Sequence, residues 1–283
     1  MKPFPVGDQR LTQQEFWRLP RHLGWRYEYI DGVAYIEPGA CCVVAALNLG
    51  PGYRAAGRAP RRSQSEELWP LCLAAFGPTV EYAGYNPMQA ENAAREAIAT
   101  YFDGERGEPR PESVVLEEGG RLVAAALLVE TVTGPHLDLL FVAPDQHRRG
   151  LAEVAVGACC HQLIAAGERH LTSAYQLANL PSAAWHHKFG FREYPDRLTE
   201  QMRRYFLIAE LERLKRLGTL TCQQEVRLRF ARRRCSRLLT HLDAMLAQER
   251  YDEAYTVAHV LTPAKRGQPR RPLPSMPDEI ARP

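Results

Sequence analysis

The apolar positions change period several times along the chain, and each change marks an element. WRYEYI and VAYIEP alternate in twos on either side of Asp31-Gly32, which predicts a β-hairpin. Ahead of them Thr12 stands where a cap is needed for a short helix over Gln13–Leu19. CCVVAALNL at 41–49 is short, continuous and valine-rich, the pattern of a buried strand. Helical spacing predicts Ser65–Phe76 and Pro87–Phe102, the second with proline in its first turn. SVVLEE and RLVAAALLVE, joined by Gly119-Gly120, form a second hairpin. HLDLLFVAP then reads as a strand, and Gly150–Ala166 as a helix with Ala155, Cys159, Leu163 and Ala166 at helical spacing. The strand LTSAYQL (171–177), a short helix over Pro181–Lys188 and the strand GFRE close the series. From residue 41 the order is strand, helix, helix, hairpin, strand, helix, strand, helix, strand, which predicts a mixed α/β (α+β) domain.

After Pro195 only the helical period persists. Leu198, Met202, Tyr205, Phe206 and Ala209 mark one helix that Gly218 ends. A second, over about Thr221–Gln248, carries Ala231, Cys235, Leu238, Leu239, Leu242, Met245 and Leu246 on one face, and a third follows over about Asp252–Leu261. PAKRGQPRRPLPSMP is too rich in proline and arginine to build a core and predicts a disordered tail. The expected layout is an arm with a hairpin at 1–40, the α/β domain at 41–196, a helical extension at 197–261 and the tail at 262–283.

Charge sharpens the boundary near Pro195. Residues 1–196 hold 18 basic and 23 acidic side chains, a net of −5, whereas residues 197–283 hold 18 and 10, a net of +8. No apolar run reaches about 18 residues and no secretory leader pattern opens the chain, so neither a membrane span nor export is expected. The seven cysteines are odd in number and contain no CxxC, which argues against a disulfide framework or a zinc site and for a reducing, cytoplasmic setting.

The candidate chemistry begins at LLFVAPDQHRRGLA (139–152), where an apolar strand gives way to a basic turn and a glycine opens a helix. A helix N-terminus carries unpaired N–H groups and partial positive charge, and a glycine there lets a ligand approach the main chain. The pattern suits an anion; it also suits an ordinary solvated turn. VAPDQHRRGLA resembles the acyl-CoA motif of the GNAT N-acetyltransferase superfamily, written Arg/Gln-x-x-Gly-x-Gly/Ala, and NLPSAAWHHKFGF resembles its later signature, in which an Asn starts a helix ending in Gly-Phe. The two cover about residues 41–195. The resemblance implies a mostly antiparallel sheet flanked by helices, acetyl-CoA as co-substrate, no metal, and transfer to an amine of a small molecule or protein. Separately, residues 1–40 weakly resemble the opening hairpin of a restriction-endonuclease-like family, but no acidic and Glu-x-Lys constellation follows that would hold a metal.

On the GNAT resemblance, main-chain N–H groups from His147, Arg148, Arg149, Gly150, Leu151 and Ala152 receive the coenzyme A pyrophosphate, and Phe141 or Val142 supplies the N–H for the thioester carbonyl. The Arg148 and Arg149 side chains add charge toward the pyrophosphate or the ribose phosphate, or are simply solvated. Asn179 caps its helix or reaches the pantetheine arm, with Ser182 beside it. Two departures stand out: His147 occupies the motif's first position, and His186 stands where many relatives carry a tyrosine acid. His186, with Ser182 before it, is a candidate acid for the thiolate; its other reading is packing beside Trp185. Asp138, inside an apolar strand, is the candidate base, and its other reading is a sheet-surface aspartate. His136, on the same face by strand alternation, is a second candidate. Cys159 and Cys160 are expected to pack. Residues 51–64 and 77–90 are the expected walls of the acceptor pocket. VRLRFARRRCSR places six arginines between Arg227 and Arg237, either a solvated face or a binder of nucleic acid or acidic protein. On the same resemblance a further strand pair is expected after Gly-Phe, but FREYPD leads at once into helix, so the last strand is either missing or supplied from elsewhere, by the N-terminal hairpin or by a second subunit, as in a homodimer. The competing function is a non-catalytic module that binds acyl-CoA, or nucleic acid through the arginine helix.

Overall fold

The computed structural model describes residues 7–250, 254–265 and 267–274. The chain divides into two compact units. One gathers residues up to Val43, Tyr175–Ala183 and Pro195–Thr256; the other holds Val44–Ala174, Ala184–Tyr194 and the chain from Val257.

In the first unit, β1 (Gly7–Arg10), β2 (Trp25–Ile30) and β3 (Val33–Pro38) form an antiparallel sheet in the order β1-β3-β2. Asp31 and Gly32 both take positive φ, 49° and 80°, as a two-residue hairpin turn requires. Helix α1 (Gln13–Arg18) starts in a capping box of Thr12 and Glu15. The hairpin strands belong to this sheet and not to the larger one, so the hairpin does not supply a strand to the larger sheet. Helices α6 (Arg197–Arg216) and α7 (Cys222–Ala247) pack on each other through Leu211, Leu214, Cys235, Leu238, Leu239 and Leu242, all buried. The face of α6 that is buried is not the expected one: Thr199, Glu200, Leu211 and Leu214 are buried, and Met202, Phe206 and Ala209 are only partly so. Leu198 and Tyr205 are 52% and 46% exposed, because Thr199 turns inward to donate to the Cys42 carbonyl. The arginines between Arg227 and Arg237 are exposed. Most of the arm and of the helical extension fall within this unit.

The second unit is built on a six-stranded sheet, β5-β6-β7-β8-β4-β9, from β4 (Cys42–Asn48), β5 (Val114–Glu118), β6 (Arg121–Thr131), β7 (Gly134–Val142), β8 (His170–Gln176) and β9 (Arg192–Glu193). β5 with β6, β6 with β7 and β4 with β9 pair antiparallel, and β7 with β8 parallel, which makes the mostly antiparallel sheet of a mixed α/β fold. Helices α2 (Ser65–Phe76) and α3 (Pro87–Asp103) cover one cluster of core residues, among them Ala125, Leu127, Val129, Leu139 and Phe141. Helix α4 (Leu151–Ala165) packs on β5 and β6. The run Ala124–Ala126 keeps the sheet surface low, so the Cys159 thiol reaches the Ala126 carbonyl at 3.8 Å. Helix α5 (Leu180–Phe189) and the two-residue β9 complete the order expected from the sequence.

The tail departs from its composition. Residues 275–283 lie outside the described residues, but Val132 donates to the Thr262 carbonyl and Arg271 to the Val132 carbonyl. Arg270 pairs with Glu130 at 2.7 Å and with Glu168 at 2.7 Å, while Arg110 pairs with Glu112, Glu130 and Glu168. Three carboxylates need more cation than Arg110 alone supplies, and Arg270 provides it. Of the third helix expected over Asp252–Leu261, a segment Thr256–Leu261 is helical; residues 251–253 lie outside the described ones. Among the described residues no helix is long and apolar enough to cross a membrane.

Candidate functional site

The geometry that matters lies along β7. Its pairing to β6 runs the full strand, but its pairing to β8 is confined to His136–Thr172 and Leu137–Ser173. Beyond Leu137 the two parallel strands part, and one edge of β7 loses its ladder. At the same point the register with β6 slips: Leu127 faces Leu139 and Leu128 faces Leu137, leaving Asp138 as the extra residue of a bulge. The alternation that put His136 and Asp138 on one face does not carry across a bulge. The Ala143 N–H donates to the Val123 carbonyl at 2.8 Å. Alternation of an antiparallel ladder then turns the Phe141 N–H toward β6 as well, and the Val142 N–H toward the opened edge. Of the two candidates, geometry favours Val142.

The turn after β7 leads straight into α4. Gly150 caps that helix with φ 77° and no side-chain acceptor on its first N–H groups. A Cβ at Gly150 would meet nothing within 4 Å, so the space over the helix end is open. Arg148 is left-handed at φ 65°, an uncommon conformation for a side chain of its size, and it makes no side-chain hydrogen bond or ion pair among the described residues. Arg149 turns away instead: its guanidinium pairs with Glu118 at 2.8 Å and bonds the Gln146 side chain. His147 spans the turn through Nε2 and the Val142 carbonyl, 3.1 Å apart. Leu151 and Ala152 form the first turn of α4. Uncapped N–H groups, a low wall and one uncommitted guanidinium together suit a phosphate-bearing ligand.

Asp138 is not a surface aspartate. Its side chain is 8% exposed and gripped bidentately by Arg106, with Nε at 3.0 and 2.8 Å from the two oxygens and Nη2 at 2.8 Å. Burial pushes its carboxyl above the ordinary value, while Arg106 pulls the other way. These three contacts come from two guanidinium N–H groups and leave carboxylate lone pairs unused, so the group can still accept a proton. Nearby, Tyr82 and Tyr85 stack at 5.7 Å, inside the stretch expected to wall an acceptor. Burial pushes the Cys72 thiol, bonded to Tyr82, up to about 12.

His186 is 4% exposed, and its Nε2 is 2.9 Å from the Ser173 hydroxyl, which faces the Leu137 carbonyl at 3.4 Å. It is also wedged edge-on to Trp185 and Phe191, so the packing reading and the polar contact hold together. His136 is fully enclosed, its Nδ1 2.9 Å from the Thr172 hydroxyl. Burial, then the Arg106 charge and His186, push its pKa down to about 3, which keeps the ring neutral. Asn179 accepts from the Ser182 N–H at 3.0 Å and so caps the first turn of α5, within the other unit. Cys159 and Cys160 are buried; burial pushes the Cys160 thiol up to about 12 and Cys159 further. Arg106, Thr172 and Ser173 were missed in the sequence. The polar pair Thr172-Ser173 inside an apolar strand was the available signal.

One comparison now bears on this segment. Residues 81–191 match the acetyltransferase (GNAT) family model. The match runs from the turn before α3 to Phe191, across β7, the turn and α4. Among solved structures, the chain is similar to a GCN5-related N-acetyltransferase from Sphaerobacter thermophilus, with 17% identity, a TM-score of 0.39 and coverage of 54% of this chain and 48% of that one. This chain thus spans about half the length of that acetyltransferase. It is also similar to a GNAT family acetyltransferase from Brucella melitensis in complex with acetyl-CoA, with 20% identity, a TM-score of 0.37 and coverage of 50% and 84%. A third is an aminoglycoside N-acetyltransferase in complex with CoA, with 18% identity, a TM-score of 0.35 and coverage of 51% and 92%. None of the curated proteins matches the sequence.

Proposed function

We propose that the chain transfers an acetyl or related acyl group from acyl-CoA to a primary amine, directly and within one ternary complex. The observation that carries this reading is the acetyltransferase-family match falling on a strand whose edge opens beside an uncapped helix end. The first N–H groups of α4 and the Arg148 guanidinium would receive the pyrophosphate, with Gly150 keeping the approach clear. The Val142 N–H, on the opened edge of β7, would donate to the thioester carbonyl and to the oxyanion it becomes.

The amine must arrive at or reach its free-base form, against an ordinary pKa of about 10. Asp138 has the raised affinity for a proton that the step needs, and Arg106 fixes its orientation. His136, held neutral, is too weak a base to compete. Once the amine nitrogen has bonded to the carbonyl carbon, the C–S bond breaks and the thiolate takes a proton. His186 is the group proposed to give it, with Ser173 setting the direction of the ring. An acyl-cysteine route is disfavoured, since no buried thiol here ionises near neutral pH. Tyr82 and Tyr85 support an acceptor with an apolar or planar portion.

The test is thiol release from acetyl-CoA in the presence of a panel of primary amines. Amine-dependent release that falls in His186→Phe supports the reading. Tight acetyl-CoA binding with no release across the panel sinks catalysis and leaves a binding module.

A further inference from the structure

The unit that lies mostly outside the acetyltransferase match contains a cavity of its own. It has a volume of about 210 Å³ and is walled by Phe16, Trp17, Trp25, Tyr27, Tyr205 and Phe206. Into this aromatic box the chain places a cation. The Arg21 guanidinium is 4.2 Å from the centre of the Phe16 ring and 4.3 Å from that of Tyr27. Its Nε and Nη1 are buried and have no hydrogen-bond partner among the described residues.

That arrangement is costly without a ligand. Stacking on ring faces offsets part of the lost hydration, but it supplies no acceptor to the N–H groups in the guanidinium plane. Burial indeed disfavours the charged form of Arg21. The neighbouring groups do not repair the deficit. Glu210 is engaged bidentately by Arg213 at 2.6 and 2.7 Å. The Tyr205 hydroxyl donates to the Tyr27 carbonyl, and the Tyr27 hydroxyl accepts from the His22 N–H. Arg216 lies over the Trp17 ring at 4.4 Å and adds a second positive charge. Against these stands one lining carboxylate, Glu212, exposed at the surface. With the Arg213–Glu210 pair counted as neutral, the cavity keeps one uncompensated positive charge.

From this geometry we infer that the cavity binds a small aromatic monocarboxylate, its ring among the aromatic walls and its carboxylate on the Arg21 guanidinium. A single negative charge matches the single uncompensated cation, and a carboxylate matches the paired N–H groups of a guanidinium seated against two rings. Volume agrees: an apolar cavity of about 150 Å³ admits benzene, so about 210 Å³ has room for a ring with a carboxylate attached. A cationic ligand would meet the Arg21 charge in the cavity wall.

The experiment uses the full chain and the fluorescence of Trp17 and Trp25, both of which line the cavity. Phenylacetate, benzoate and indole-3-acetate are titrated beside phenylacetamide, a neutral match to the first. A saturable change for the acid, with the amide weaker by about tenfold or more, is the expected result. Arg21→Met should bring the acid down to the amide's affinity while leaving acetyl-CoA binding untouched. Equal binding of acid and amide, or no saturable change with any of the three acids, overturns the inference. The acid–amide comparison on the unaltered chain decides even where the variant does not fold. Neither outcome depends on acyl transfer, because no residue of this cavity takes part in that proposal.

Discussion

Replacing His136 with glutamine should flatten the acid limb of the protein's stability. His136 is enclosed between β6 and β8 partners, and burial, Arg106 and His186 all oppose its ionisation. Its folded pKa of about 3 lies below the ordinary 6.5. The unfolded chain therefore takes up the proton first. Stability from this group is present in full above pH 6.5 and is lost as pH falls toward 3. Linkage gives a loss of about 2 kcal/mol by pH 5 and about 3 kcal/mol by pH 4. That is a large share of the roughly 5–15 kcal/mol a domain possesses. Glutamine keeps an amide for the Thr172 hydroxyl and cannot take the proton. Urea denaturation from pH 7.5 to 4 would be compared for both proteins. Carboxylates contribute equally to each, so the difference isolates the imidazole. Parallel pH profiles would refute the reasoning.

Three other outcomes follow from the same geometry. Asp138→Asn should remove the ascending limb of the pH–rate profile in acetyl transfer while preserving acetyl-CoA affinity; an unchanged profile would end the case for Asp138 as base. His186→Phe keeps a ring beside Trp185 and Phe191 but offers no proton, so turnover should fall by about 10²–10⁴, with a smaller effect for Ser173→Ala; full activity in His186→Phe, measured with a slow-leaving thioester, would contradict the assignment. Gly57 has φ 63° and a Cβ there would lie 2.3 Å from the Val115 carbonyl oxygen, which also accepts the Arg58 N–H. Gly57→Ala should cost about 2–4 kcal/mol, read as a shift in the urea midpoint.

Local chemistry made most of the elements legible in advance. Asp31-Gly32 takes the two positive φ values that its hairpin needs, Thr12 caps α1, and Asn86 with Pro87 opens α3. These devices act over three or four residues and are written in adjacent letters. The turn from Val142 to Ala152 was legible for the same reason. What escaped depends on residues far apart in the chain. Arg106 meets Asp138 across 32 positions, so an aspartate that alone looked available is in fact gripped. The bulge at Asp138 arises from a slip between two strands, and no residue of HLDLLF announces it. Arg149 looked as available as Arg148, yet Glu118, 31 positions earlier, holds it. The same holds for the tail, whose arginines read as disorder until Glu130 and Glu168 are brought near Arg270.

The central claim is the acyl-CoA site at the head of α4, and titration calorimetry with acetyl-CoA tests it most directly. The account predicts saturable binding by the unaltered chain that is lost in Gly150→Glu, which sets a carboxylate in the open space over the helix end, and weakened in Arg148→Glu. Binding of equal strength in all three proteins would contradict the account, as would no binding by the unaltered chain.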